Sequence, residues 1–182
     1  LRDEHGRYAM DYTAIERALK AGAKALMLCN PHNPVSRPWE KSELEQLVAL
    51  LRRYDAYLIS DEIHADFVYA PHVFHPALTL RQEKTLSLCA ASKTFNLAGL
   101  VGSYRIVYNK RIRDLMDKEA KLTQYNHRNV LSMHALIAAY STEGMEWVDE
   151  LRHVLTGNVN FACDFIAKNL PGLSVSHPQG TY

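Results

Sequence analysis

Three groups of polar residues each follow directly on a short apolar run. Asn33 lies in Asn30-Pro31-His32-Asn33-Pro34, after Ala25–Cys29. Asp61 and His64 lie in Ser60-Asp61-Glu62-Ile63-His64, after Tyr57–Ile59, and Ser92 and Lys93 open Ser92-Lys93-Thr94-Phe95-Asn96, after Thr85–Ala91. An amide, a carboxylate, an imidazole and a primary amine gathered at one place make a site that handles protons on a bound organic group. They gather if the three runs are strands of one parallel sheet, because ligands of open sheets sit in the crevice outside the carboxyl ends of the strands. Singly, each residue has a plainer reading. A lysine after a strand is usually a solvated charge, an Asp or Asn a turn former or cap, and a His at the end of a buried strand a satisfied core residue.

The elements that must position these groups are legible in the pattern. Ile15, Ala18 and Leu19 recur at helical spacing between Asp11 and Ala21, with Asp11 as N-cap. The run Ala25–Cys29, bounded by turn residues, predicts a strand buried on both faces. Leu44, Leu47, Val48 and Leu51 form the stripe of an amphipathic helix, with Ser42 and Glu45 placed for a capping box. A fourth apolar run, Tyr104–Tyr108, precedes a charged helical segment from Lys110 to about Leu122. Two more helices are predicted over 129–140 and 144–170; Pro171-Gly172 stops the second, which is long enough to bridge two domains. Strands alternating with helices predict an α/β fold, a mostly parallel sheet flanked by helices.

Bulk properties narrow the function classes. The 182 residues are 47% hydrophobic and 23% charged with a net charge of +1, an ordinary globular composition. Basic residues are interspersed with acidic ones, which argues against a nucleic-acid partner. No apolar run reaches membrane-spanning length. Cys29, Cys89 and Cys163 are odd in number and lack paired short spacing, so they read as buried apolar residues in a reducing compartment, the cytoplasm by default. Neither Cys-x-x-Cys nor His-Glu-x-x-His occurs, so no metal site is expected. The start at Leu1 and the stop after Pro178-Gln179-Gly180-Thr181 read as a piece of a longer chain.

The three motifs, extended through Leu97-Ala98-Gly99-Leu100, resemble in order and spacing those of the class I/II aminotransferase-like, fold-type I pyridoxal-5′-phosphate (PLP) enzymes. His64, where many aminotransferases carry Tyr, is similar to the cystathionine β-lyase branch (MalY/PatB-type C–S lyases), as are Ala98-Gly99-Leu100 and the closing Pro178-Gln179-Gly180-Thr181-Tyr182. The resemblance covers essentially the whole chain and implies roles. Lys93 carries the cofactor as a Schiff base and then acts as the base at the substrate Cα. Asp61 pairs with the pyridine nitrogen, Asn33 and His64 approach the phenolic oxygen, and Ser92 helps hold the phosphate. It also implies a PLP-binding large domain over 1–170, the start of a small C-terminal domain over 171–182, and a homodimer.

The activity implied is a C–S β-lyase acting on a small amino acid such as cystathionine. An aminotransferase is the alternative, and a non-catalytic module of the same fold is a third reading. The chain departs from the family pattern at Val101, where many relatives place a phosphate-binding Arg, at Ala90, where Ser is common, and at Ser36, where Gly is usual. Phosphate binding is then expected to lean on other groups, Ser103 among them. Two further features have two readings each, and a third has one. Asp66 either orients His64 or is a surface charge, and the segment from Tyr125 to Arg128 lines either the site or a dimer interface. Glu62 should point away from Asp61 if the strand pleat persists.

Overall fold

The apolar runs are short and bounded by turn residues. In the computed structural model, which describes residues 7–125, 127 and 129–181, they become four strands: β1 (Ala25–Cys29), β2 (Tyr57–Asp61), β3 (Thr85–Cys89) and β4 (Tyr104–Ile106). The sheet order is β1-β2-β3-β4. The first three run parallel, in a register that aligns Cys29 with Asp61 and Asp61 with Leu88. β4 is antiparallel to β3, with Cys89 opposite Tyr104. A parallel return needs a crossover long enough to span the sheet. Residues 90–103 supply only a 3-10 turn at Ala98–Leu100, so the chain folds back beside the strand it has just left.

Five helices accompany this sheet among the described residues. Helix α1 (Tyr12–Lys20) is capped by Asp11, whose Oδ1 accepts from the Ala14 N–H at 2.8 Å. Helix α2 (Lys41–Arg53) makes the crossover from β1 to β2, whereas residues 62–84 join β2 to β3 through one 3-10 turn at Ala77–Thr79. The predicted stripe of α2 is the core: Leu44, Leu47 and Leu51 are fully buried in one cluster with Leu28 of β1 and Leu58 of β2.

Two local expectations are corrected. The cap of α2 is made by Glu40 and Glu43 rather than Ser42 and Glu45: the Glu40 N–H donates to Glu43 Oε2 at 2.8 Å. The buried Arg37 forks onto both oxygens of Glu43, at 3.0 and 2.7 Å, and so pins that carboxylate at the start of the helix. β1 is buried on one face only. It lies at the end of the sheet, and Met27, on the face opposite Leu28, is 73% exposed.

Helix α3 (Lys110–Leu122) is capped by Asn109, α4 (Val130–Ala139) by Asn129 and α5 (Thr142–Asn169) by Ser141. The Ser141 hydroxyl accepts from the Gly144 N–H at 3.2 Å, so α5 starts earlier than its apolar pattern suggests. After α5 the chain returns to the strand ends. The Gln179 N–H donates to Ser36 O at 2.7 Å, the Thr181 N–H to Phe67 O at 2.7 Å, and the Tyr69 N–H to Gln179 O at 3.0 Å. The Tyr69 hydroxyl also donates to Thr181 O. Ser36 accepts this segment while holding a left-handed φ of 60°, the conformation that makes Gly usual there.

Two glycines of α5 should respond to alanine with opposite signs. A Cβ on Gly144 would stand 2.0 Å from the Ala139 carbonyl oxygen, so Gly144→Ala must displace the corner between α4 and α5. A Cβ on Gly157 meets nothing within 4 Å. Urea unfolding should show a loss of about 3 kcal/mol for Gly144→Ala and a gain of about 1 kcal/mol for Gly157→Ala. Equal effects would contradict the tight corner.

Candidate functional site

Parallel pairing of β1, β2 and β3 sets their carboxyl ends side by side, and the expected convergence follows. Asp61 is the last residue of the central strand β2, with Cys29 and Leu88 as its register partners. The ladder continues past the strands: the Asn30 N–H donates to Asp61 O at 2.9 Å and the Glu62 N–H to Leu88 O at 2.8 Å. Side chains alternate along β2, so Asp61 shares the face of Ile59 while Glu62 turns to the other. Glu62 is buried there, its Oε1 accepting from the Ala77 N–H at 3.1 Å, and burial pushes its carboxyl up. It takes no part in the site.

The loop after β1 folds back on its own strand. Asn30 accepts from the Trp39 N–H at 3.1 Å and donates to His75 O at 3.1 Å, and the Trp39 indole donates to Cys29 O at 2.9 Å. Asn33 is exposed, and its backbone N–H reaches the Cys29 sulfur. Burial pushes the Cys29 thiol up, and the Asp61 carboxylate adds to this. Asn33 and Asp61 are therefore neighbours of one sulfur.

Asp61 Oδ1 accepts from the Ile63 N–H at 3.2 Å, which orients the carboxylate. His64 is buried. Burial holds its imidazole below the ordinary range, the Lys93 ammonium pushes it further down, and the Asp61 carboxylate opposes both. Lys93 is exposed, and with Ser92 it lines a cleft of about 350 Å³ bounded by Phe67, Thr94, Trp147 and Leu151. An amine can hold a carbonyl compound, a carboxylate can oppose a cationic ring, and a nearby imidazole feels the charge of both.

The phosphate expectations concern Val101 and Ser103. Val101 is 88% exposed and holds a left-handed φ of 53°. Ser103 faces away from the Lys93 cleft and lines a separate cavity between β4 and α3, with Leu88, Arg105 and Arg113. Of the predicted groups, only Ser92 remains beside the lysine. In the segment from Tyr125 to Arg128, Tyr125 is 86% exposed, and Asn126 and Arg128 lie outside the described residues.

Sequence reasoning missed how the lysine loop is held. Asp66 Oδ2 accepts from Thr94 Oγ1 at 2.8 Å and from the Tyr140 hydroxyl at 3.2 Å. Its backbone carbonyl accepts from Arg152 Nε at 2.7 Å. Phe95 stacks on Trp147 at 5.9 Å and meets Tyr140 edge-on at 5.5 Å. The available signal was the position of Asp66 inside the second motif and of Thr94 inside the third. Tyr140, Trp147 and Arg152 carried none.

Comparisons with known proteins identify relatives of the whole chain. Cystathionine beta-lyase PatB of Bacillus subtilis is 32% identical over all of this chain, which covers 48% of that protein. Protein MalY of Escherichia coli is 34% identical over 90% of this chain, covering 42% of its own length. The crystal structure of cystalysin from Treponema denticola, which contains a pyridoxal 5′-phosphate cofactor, superposes with a TM-score of 0.92 at 32% identity, covering all of this chain and 47% of that one. The chain thus spans about half the length of the relatives it matches. The family model for aminotransferase class I and II matches residues 2–182, and with the strand-end amine, carboxylate and imidazole in place, the chain belongs to that family.

Proposed function

We propose that the protein carrying this chain is a PLP-dependent C–S β-lyase that cleaves cystathionine or related cysteine S-conjugates to a thiol, pyruvate and ammonia. The observation that carries the reading is the meeting of Asp61, His64 and Lys93 at the carboxyl edge of the sheet, beside a cleft that the lysine lines. The donor set fits pyridoxal phosphate: an amine for its aldehyde, an oriented carboxylate for its ring nitrogen, an amide and an imidazole for its phenolic oxygen, and a hydroxyl for its phosphate.

When bound, the cofactor supplies an electron sink for the pair left when the substrate's Cα proton is removed. This chain's residues do the rest. Lys93 would hold the cofactor through its aldehyde and would take the substrate's Cα proton. Asp61, steadied by the Ile63 N–H, keeps a proton on the ring nitrogen; an ion pair offsets the cost of its partial burial. Asn33 and His64 would hold the phenolic oxygen, and Ser92 the phosphate.

An aminotransferase needs the same residues as far as the loss of the Cα proton and is the second reading, favoured by the family as a whole; similarity to PatB favours the lyase. In this reading residues 1–170 are the PLP-binding large domain and 171–182 lead into a smaller one, the lead being tied by Gln179–Thr181 to the loops after β1 and β2. The protein works as a cytoplasmic homodimer.

Absorbance of the protein at the length of its relatives, with PLP and then with cystathionine, tests the proposal beside Lys93→Ala. The expected result is a cofactor band that depends on Lys93 and pyruvate on substrate addition. Conversion of the cofactor to its amine form without pyruvate selects the aminotransferase. No Lys93-dependent band leaves a non-catalytic module. Asp61→Asn, which removes the charge and keeps the shape, should lower kcat by about 10²-fold or more.

The neutral state of His64 has its own signature. Its folded pKa lies below the unfolded value of 6.5, so below that pH the unfolded chain binds this proton more readily than the native state does. The stability linked to His64 is complete above pH 6.5 and is lost as pH falls toward the folded value. His64→Gln should flatten this part of the acid dependence of the urea unfolding free energy. An unchanged slope would rule out a depressed pKa.

A further inference from the structure

We propose that Asp66 is the positioning residue for Lys93. Through the Thr94 hydroxyl it couples the loop that carries the site's carboxylate to the loop that carries its amine. The proposal rests on Lys93 being the cofactor lysine.

Lys93 sits on irregular backbone between β3 and β4. The main-chain bonds around it are local, from the Phe95 N–H to Ala91 O and from the Leu97 N–H to Ser92 O, both at 2.9 Å, and Asn96 holds a left-handed φ of 54°. Such bonds shape the loop but do not fix it relative to β2. The residue next to the lysine makes that connection. Thr94 is 1% exposed, and its hydroxyl donates to Asp66 Oδ2 at 2.8 Å. A hydrogen bond to a carboxylate is stronger than a neutral one.

Asp66 is itself fixed from two other elements: the Tyr140 hydroxyl, at the end of α4, donates to the same oxygen, and Arg152 of α5 holds its carbonyl. Tyr140 and Trp147 also grip Phe95, the residue after Thr94. Asp66 lies in the segment that continues from Asp61 and His64. One carboxylate therefore sets the distance between the acid and the amine that must face opposite parts of the same bound ring. Displacement of a reacting group by about 1 Å can cost about 10²-fold in rate.

The test uses Asp66→Ala and Thr94→Val, the second removing only the donor, with Thr94→Ser as rescue. Two readouts are taken on the protein at the length of its relatives: hydrogen exchange of residues 91–97 without cofactor, and kcat and KM with it. We expect faster exchange in 91–97 while β1, β2 and β3 stay protected, and a kcat lower by about 10- to 10²-fold at similar KM. The two substitutions should not add, because they break one link, and Thr94→Ser should restore both readouts.

Exchange and kcat unchanged in Thr94→Val would overturn the proposal. Loosening spread through the whole sheet would overturn it too, since the link would then be structural only. Retention of full turnover by Lys93→Ala would overturn the functional reading and the catalytic part of the proposal together. The exchange of 91–97 without cofactor judges the Asp66–Thr94 link independently of that reading.

Discussion

The site depends on the parallel pairing of β2 with its two neighbours. Asp61 is the last residue of β2 and Glu62 is the next, and the pleat sends these adjacent acids to opposite faces. Asp61 stands at the open edge beside Cys29, with a polar contact to the Ile63 N–H. Glu62 is buried against the Ala77 N–H. A slip of one residue would exchange them, putting the longer acid at the edge and the shorter one under the sheet. The ladder resists such a slip by continuing past its formal ends, through Asn30 to Asp61 and Glu62 to Leu88. The fully buried Leu58 adds a second restraint, because a slip would turn it away from Leu44, Leu47 and Leu51. Burial of one leucine side chain is worth about 1.5–3 kcal/mol, so the core and the ladder select the same register.

Loops that leave such a sheet need anchors of their own, and each of the three has a polar one. The loop after β1 is held by Asn30, which satisfies the Trp39 N–H and His75 O together, and by the Arg37 fork on Glu43. Arg37 also lies over the Trp39 ring, 4.8 Å from its centroid. Losing one member of a buried ion pair costs about 3–5 kcal/mol, so this anchor is strong in place but intolerant of change. The loop after β2 is held by the returning segment Gln179–Thr181, and the loop after β3 by Asp66. The amide, the acid and the amine are thus each carried on backbone whose geometry is set by groups that do no chemistry.

What could be read in advance follows from how local each signal is. Asn33, Asp61 and Lys93 sit in turn-bounded motifs directly after apolar runs, and a short run before turn residues points to a strand end without knowledge of the fold. Helix boundaries at Asp11 and Lys110 were legible for the same reason. The cap of α2 was misplaced because Ser42 is a favoured cap residue, and the buried Arg37 that fixes Glu43 is a tertiary fact. The exposure of Met27 and the reversal of β4 depend on which elements lie beside them in space. The Asp66 link joins residues from four separate stretches of chain, so no window of sequence contains it.

Position 101 shows how backbone shape can be set apart from side-chain chemistry. Val101 occupies a left-handed backbone position that a β-branched side chain rarely adopts. Its neighbour Gly102 is packed so closely on α4 that an added Cβ would stand 3.1 Å from the Ser132 Cβ. The corner after the lysine loop is therefore set by packing on α4 and not by the preference of residue 101. Valine at this corner carries no charge to offer a phosphate. Ser103 does not substitute, because it faces the cavity between β4 and α3. On the proposed reading the cofactor's phosphate is held by Ser92 with groups supplied from beyond these residues. On the same reading its aldehyde and ring nitrogen are left to Lys93 and Asp61.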